Sequence, residues 1–212
     1  MVSTPAQQDE IKQVVSSIQS RRGMAVVISA PSGTGKTTVC EQLVAVAPEL
    51  SLSVSYTTRR PRAGEKDGTH YYFVSKKKFR EELERGEFLE WAKVHGHYYG
   101  TPRGYLEERI RAGRDTILDI DVQGARAIKE ALDDAVLIFL VPPSRTELRR
   151  RLKGRKSDSP ADIDTRLGIS AREFSCYPLY DYLVLNSNTD EAVGDLQAII
   201  RAERCRTSRV KP

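Results

Sequence analysis

Three cysteines, odd in number and without C-x-x-C spacing, support neither a disulfide framework nor a zinc site. Cys40, Cys176 and Cys205 read instead as buried or idle thiols in a reducing compartment. No apolar run approaches the roughly 20 residues of a membrane span, and the N-terminus lacks a signal-peptide core. The expectation is therefore a cytoplasmic protein with no membrane partner. No internal repeat or low-complexity tract is visible. Nor do the basic residues form one block. Lys and Arg number 34 against 29 acids, and the resulting charge of +5 is concentrated at residues 59–62, 76–80, 145–156 and 201–211. Without interleaved aromatics or a nucleic-acid motif, this pattern argues against a nucleic-acid partner and for small anionic ligands, with the first and third clusters as anion sites.

What the chain does have is 39% apolar and 30% charged residues over 212 positions, enough for one globular domain, or a core with insertions. Its most informative stretch is Ala30-Pro31-Ser32-Gly33-Thr34-Gly35-Lys36-Thr37, directly after the apolar run 24–28. Glycines at 33 and 35 permit positive φ and turn backbone N–H groups inward, forming a nest for phosphate oxygens at a helix N-terminus. Lys36 can reach the β- and γ-phosphates and the Thr37 hydroxyl can take a Mg²⁺ position. The pattern is a P-loop with Ala30 where glycine is usual. A preceding strand at 25–28 and a following helix with Val39, Leu43, Val44 and Val46 supply its context.

Read in order, residues 1–10 are polar, and Ile11, Val14, Val15 and Ile18 recur at helical spacing, so an appended amphipathic helix packs on the body or on a partner. Leu50, Leu52 and Val54 alternate as a second strand. Strands are expected at 70–74, 88–94 and 97–99 around a helix at 76–84 capped by Ser75. Thr101 and Pro102 open a helix that Gly113 closes. The strand 116–118 delivers Asp119 and Asp121 at its C-terminal end, where open α/β sheets bind ligands. Residues 135–141 form a fully apolar strand. Ser144 and Glu147 form a capping box for an arginine-rich helix, and 154–159 a mobile connection. A helix begins at Ser159-Pro160, a last strand covers 182–185, a closing helix runs from Thr189 to about Cys205, and the basic tail after it is frayed. Alternating strands and helices mean an α/β fold: a parallel sheet flanked by helices, with a strand-rich lobe inserted at 56–100.

The string 53–65, SVSYTTRRPRAGE, together with Asp67-Gly68, Tyr71, FLEW at 88–91, YYGT at 98–101 and ILDIDVQG at 117–124, closely resembles the guanylate kinase family, in order, over residues 24–203. The resemblance implies a nucleoside monophosphate kinase catalysing ATP + GMP to ADP + GDP, for guanine nucleotide synthesis and recycling. It implies three parts: a core at 21–55 and 101–212 that includes a mobile lid at about 144–175, a GMP-binding insertion at 56–100, and an extension at 1–20 outside the match. By matching positions, Arg59, Arg62, Tyr71 and Tyr99 would hold the GMP phosphate, since forked guanidiniums and phenol hydroxyls orient a dianion as well as attract it. Ser55, Glu90, Thr101 and Asp121 would face guanine, and Asp119 would lie near the metal or the GMP ribose. Arg151, Arg155 and Arg166 match lid arginines. The P-loop residues 30–37 with Thr38 would hold ATP, and Asn186 matches the adenine surround, although Ser187-Asn188 departs from the acidic residue expected there.

The resemblance therefore names ATP and GMP as substrates and Mg²⁺ as the ion, and assigns catalysis to Lys36, Arg59, Arg151, Arg155 and Arg166. A GMP phosphate is already largely ionised at neutral pH, so no general base is needed. The competing reading is a guanylate kinase-like binding module without catalysis. The joint presence of the P-loop lysine and threonine, both phosphate arginines and three lid arginines favours the enzyme. Monomer and homo-oligomer both stay open.

Overall fold

The computed structural model describes residues 5–62, 64–94, 96–153 and 160–210. In chain order these form α1 (Pro5–Gln19), β1 (Ala25–Ser29), α2 (Lys36–Val46), β2 (Ser51–Leu52), β3 (Tyr56–Thr57), β4 (Tyr72–Phe73), α3 (Lys76–Glu84), β5 (Phe88–Val94) and β6 (His97–Pro102). There follow α4 (Arg103–Arg111), β7 (Thr116–Asp119), α5 (Val122–Ala131), β8 (Val136–Val141), α6 (Arg145–Lys153), α7 (Pro160–Phe174), β9 (Tyr182–Leu185) and α8 (Thr189–Arg204).

Five strands make a parallel sheet in the order β2-β7-β1-β8-β9. Strand β1 is central and every one of its residues is buried, which is why it reads as a continuous apolar run. Successive residues still point to opposite faces. Val26 and Ile28 pack with Val39 and Leu43 of α2 and Leu196 and Ile200 of α8. Val27, on the other face, packs with Leu106, Leu118, Ile128 and Leu137. The register pairs Ile28 with Asp119. That pairing brings the end of β7 beside the loop leaving β1.

A second sheet, β4-β3-β6-β5, is built from residues 56–102. Its β3/β4 pair is parallel and its β3/β6 and β5/β6 pairs are antiparallel. Phe79 of α3 stacks on Phe88 and Tyr98, with centroids 4.6 and 5.4 Å apart, and seals one side of this sheet.

Several local expectations are corrected. The alternating 50–54 segment and the 70–74 segment each contribute only two strand residues, Ser51–Leu52 and Tyr72–Phe73. Thr101 is no helix cap: it belongs to β6, fully buried, and α4 starts at Arg103 after Pro102. Gly113 does close the helix, with φ 75° and its N–H bonded to Ile110 O. Ser144 caps α6, its hydroxyl accepting from Glu147 N at 3.0 Å, but the Glu147 carboxylate turns to arginines instead of completing the box. The apolar stripe of α1 does not pack on the body, because Ile11, Val14, Val15 and Ile18 are all exposed.

The tail is bound. Arg209 is buried against Glu203 at 3.1 Å and its carbonyl accepts from Arg22 N, so residues 206–210 strap the chain entry to α8. Residues 154–159, and with them Arg155, lie outside the described residues. All three cysteines are free, and Cys40 is buried.

Candidate active site

The loop between β1 and α2 has Gly33 at φ 94° and Gly35 at φ 98°, left-handed conformations that side chains resist. Gly33 is required twice over, since a Cβ there would also lie 2.8 Å from Leu152 of α6. Lys36 opens α2 and folds back across the sheet, pairing with Asp119 and donating to Ile120 O at 2.8 Å. Thr37 Oγ1 donates to Asp119 Oδ2 at 3.2 Å. The ends of two adjacent parallel strands thus place a lysine, a hydroxyl and a carboxylate together.

Facing them is the second sheet. Arg59 donates through both terminal nitrogens to Glu65, at 2.9 and 2.8 Å, and through Nε to Tyr99 OH at 3.3 Å. Its charge lies 5.5 Å from the Tyr71 ring centroid. The Glu65 hydrogen bonds raise the Arg59 pKa, and Arg59 in turn holds the Glu65 carboxyl below its usual range. A cavity of about 190 Å³ opens here, lined by Thr37, Ser55, Arg59, Arg62, Tyr71 and Asp119. Burial, helped by the nearby Asp119, pushes the Tyr71 hydroxyl up to about 12, so it stays a hydrogen-bond donor.

A contiguous cavity of about 230 Å³ reaches Lys36, Ser55, Tyr71, Glu90, Tyr99 and Asp121. Glu90, on β5, is 6% exposed, and the Thr101 hydroxyl donates to its Oε1 at 2.5 Å across the β5/β6 pair. Burial pushes the Glu90 carboxyl up to about 7, against the lowering effect of Thr101, with the Asp121 charge adding to the rise. Asp121 is the N-cap of α5, its Oδ1 accepting from Gln123 N at 3.0 Å and Gly124 N at 2.9 Å.

The α6 and α7 arginines approach from above the loop. Arg151 donates to Thr34 O at 2.8 Å and Asn186 O at 3.1 Å, and its Nε is held by Glu147 at 2.8 Å. Arg166 Nη1 donates to Ser32 Oγ at 3.2 Å. Asn186 is buried, with Nδ2 donating to Thr34 O at 2.8 Å and Oδ1 without a partner among the described residues, so it braces the loop instead of lying open at the surface.

The profile of the guanylate kinase family matches residues 22–203. That is most of the chain. The chain belongs to the guanylate kinase family. It is 52% identical over 190 residues to the guanylate kinase of Geobacter metallireducens, covering 90% of this chain and 94% of that one. The guanylate kinase of Caldanaerobacter subterraneus is 45% identical over 191 residues, covering 90% and 93%. Among solved structures, guanylate kinase from Anaplasma phagocytophilum superposes with a TM-score of 0.77 at 37% identity, covering 90% of each chain. The guanylate kinase fold accounts for the parallel sheet with helices on both faces, and membership makes the chain a nucleotide-binding kinase.

Lys36, Thr37, Ser55, Tyr71, Glu90, Tyr99, Asp119 and Asp121 meet in two adjoining cavities, Arg59 and Arg62 line one of them, and Thr101 reaches the site through Glu90. Ala30, Pro31, Ser32, Gly33, Gly35 and Thr38 line a shallow pocket of about 200 Å³ over the loop, while Thr34 is buried beneath it. For three carboxylates, sequence reasoning assigned no part in the site. Glu147 was legible as a charge partner, four residues before Arg151 on one helix face. Glu65 meets Arg59 across an irregular loop, which has no periodic signature. Glu173 of α7 lies against the Ser32 backbone, its Oε2 buried without a hydrogen-bond partner among the described residues, and burial raises its pKa against the lowering effect of Ser32.

Proposed function

We propose that this chain transfers the γ-phosphoryl group of ATP to GMP through the residues gathered around Asp119. The observation that carries the reading is the meeting of Lys36 and Thr37 with Asp119 directly opposite Arg59, Tyr71 and Glu90. The loop amides and Lys36 hold the triphosphate; Arg59, Arg62, Tyr71 and Tyr99 hold the acceptor phosphate. Glu90 and Ser55 read guanine, whose N1–H and 2-amino group are adjacent donors that one ionised carboxylate accepts together.

Three of these cations already have an anionic or carbonyl partner: Lys36 with Asp119, Arg59 with Glu65, Arg151 with Glu147 and Thr34 O. They are thereby oriented before substrate arrives, which lowers the ordering cost at the moment of reaction. Thr37 Oγ1 and Asp119 Oδ2, 3.2 Å apart, are hard oxygen donors of the kind Mg²⁺ takes alongside water and phosphate oxygens. When bound, that ion would neutralise charge on the phosphates.

The α6–α7 region, about 144–175, acts as the lid, residues 56–100 as the acceptor-binding insertion, 21–55 and 101–212 as the core, and 1–20 as an extension outside the chemistry. Leu148 and Leu152 lie against Gly33, so lid movement is felt directly at the phosphate loop. Among the described residues no helix is long and apolar enough to cross a membrane, and a cytoplasmic location fits the free thiols. The test is ADP release, followed by a coupled assay, with GMP, AMP and thymidylate as acceptors. Turnover with GMP at least 10³-fold more efficient than with AMP supports the reading. Comparable turnover with all three overturns it.

A further inference from the structure

Helix α5 carries glycine at 124 in its first turn, where alanine would favour the helix by about 1 kcal/mol. The Gly124 backbone is not in the left-handed region, so conformation does not require the glycine. Space does. A Cβ at this position would lie 2.9 Å from Glu90 Oε2, 3.3 Å from the Glu90 carboxyl carbon and 3.3 Å from Ile120 Cδ1.

The helix is fixed, so the carboxylate, which borders the open cavity, is the side that must give way. The Gly124 N–H is fixed on Asp121 Oδ1 at 2.9 Å, which anchors the first turn of α5. Ala125 and Ile128, on the same helix, are buried in the sheet core. The other Glu90 oxygen receives the Thr101 hydroxyl, and Thr101 is itself fully buried. Oε2 is the oxygen that Thr101 leaves for a ligand, and it lies 2.9 Å from the point where a side chain at residue 124 would begin.

We propose that Gly124 is a specificity-positioning residue: the missing side chain holds Glu90 Oε2 where it accepts from the guanine edge, so position 124 sets the preference for guanine over adenine. This rests on the base-reading role of Glu90 and adds the element that aims it. Asp121, through its cap on Gly124 N–H, belongs to the same support.

The experiment compares Gly124→Ala, Glu90→Gln and the double variant for KM and kcat with GMP and AMP, for the GMP dissociation constant by calorimetry without ATP, and for melting temperature. Gly124→Ala is expected to raise the GMP KM and dissociation constant about tenfold or more, since displacements near 1 Å cost this much in a positioned site. Its kcat should change less than about threefold, and its preference for GMP over AMP should fall about tenfold or more. In the Glu90→Gln background the alanine should add little, because the aimed charge is already gone. Unchanged GMP affinity and preference in Gly124→Ala, with Glu90→Gln still altering preference, overturns the glycine's role alone. Should Glu90→Gln leave preference unchanged, the base-reading assignment falls and this inference with it. A lowered melting temperature with unchanged GMP binding marks the position as structural only and also overturns the proposal.

Discussion

Glu90→Gln should make the protein more stable at alkaline pH while weakening its grip on GMP, and the size of the effect follows from burial. Glu90 is 6% exposed, and its carboxyl is pushed from the ordinary 4.5 up to about 7. A folded-state pKa above the unfolded one means the native state holds the proton more tightly between these values. The associated stability is fully present below about 4.5 and is lost as pH rises through 7. At about 1.36 kcal/mol per tenfold change in proton affinity, the loss is about 3 kcal/mol by pH 8. Glutamine keeps an Oε1 to accept from Thr101 and carries no charge to desolvate. Urea unfolding of both proteins between pH 4.5 and 8 measures it, because other titrating groups cancel in the difference. The variant should gain on the parent progressively, by about 3 kcal/mol at the top of the range. A pH-independent difference would refute the burial argument. Ligand binding gives the converse signature. With the proposed pairing of the guanine edge to an ionised Glu90, GMP affinity of the parent should fall about tenfold per pH unit below 7 relative to the variant, and a shared pH profile would remove Glu90 from base recognition.

Lys36→Met should lower kcat about 10²-fold or more with the GMP KM little changed, because Lys36 lines the loop pocket proposed for ATP; near-normal steady-state turnover would sink the loop assignment. Alanine at Arg151 or Arg166 should reduce kcat far more than melting temperature, since each touches the phosphate loop, whereas a shifted melting curve at full activity would leave them as surface supports. A chain starting at Arg21 should retain full turnover, as the exposed stripe of α1 leaves the core intact. Removing Arg21 as well should cost about 2 kcal/mol in denaturant titration, because buried Asp115 loses a bidentate partner at 2.8 and 2.7 Å and keeps Arg204 and Met24 N; equal stability of the two truncations would contradict this.

The α/β class, the P-loop and the family were legible in the residues themselves, because each rests on local chemistry. Glycine at 33 and 35 ahead of Lys36, an apolar β1 and a carboxylate at the end of β7 have meaning wherever they occur. Strand lengths at 50–54 and 70–74 were not legible, since alternation says which residues could pair and only a neighbouring strand decides how many do. Thr101 shows the same limit: its position before Pro102 reads as a cap, yet pairing of β6 with β5 turns it inward onto Glu90. The tail looked frayed because it is basic, but Glu203 and the entry at Arg22 provide partners that lie far off in sequence or on another face. Above all, composition ranks Gly124 as a weak helix residue. Only the approach of β5 to α5 gives its missing side chain a reason, because the space it leaves is defined by a carboxylate 34 positions earlier in the chain.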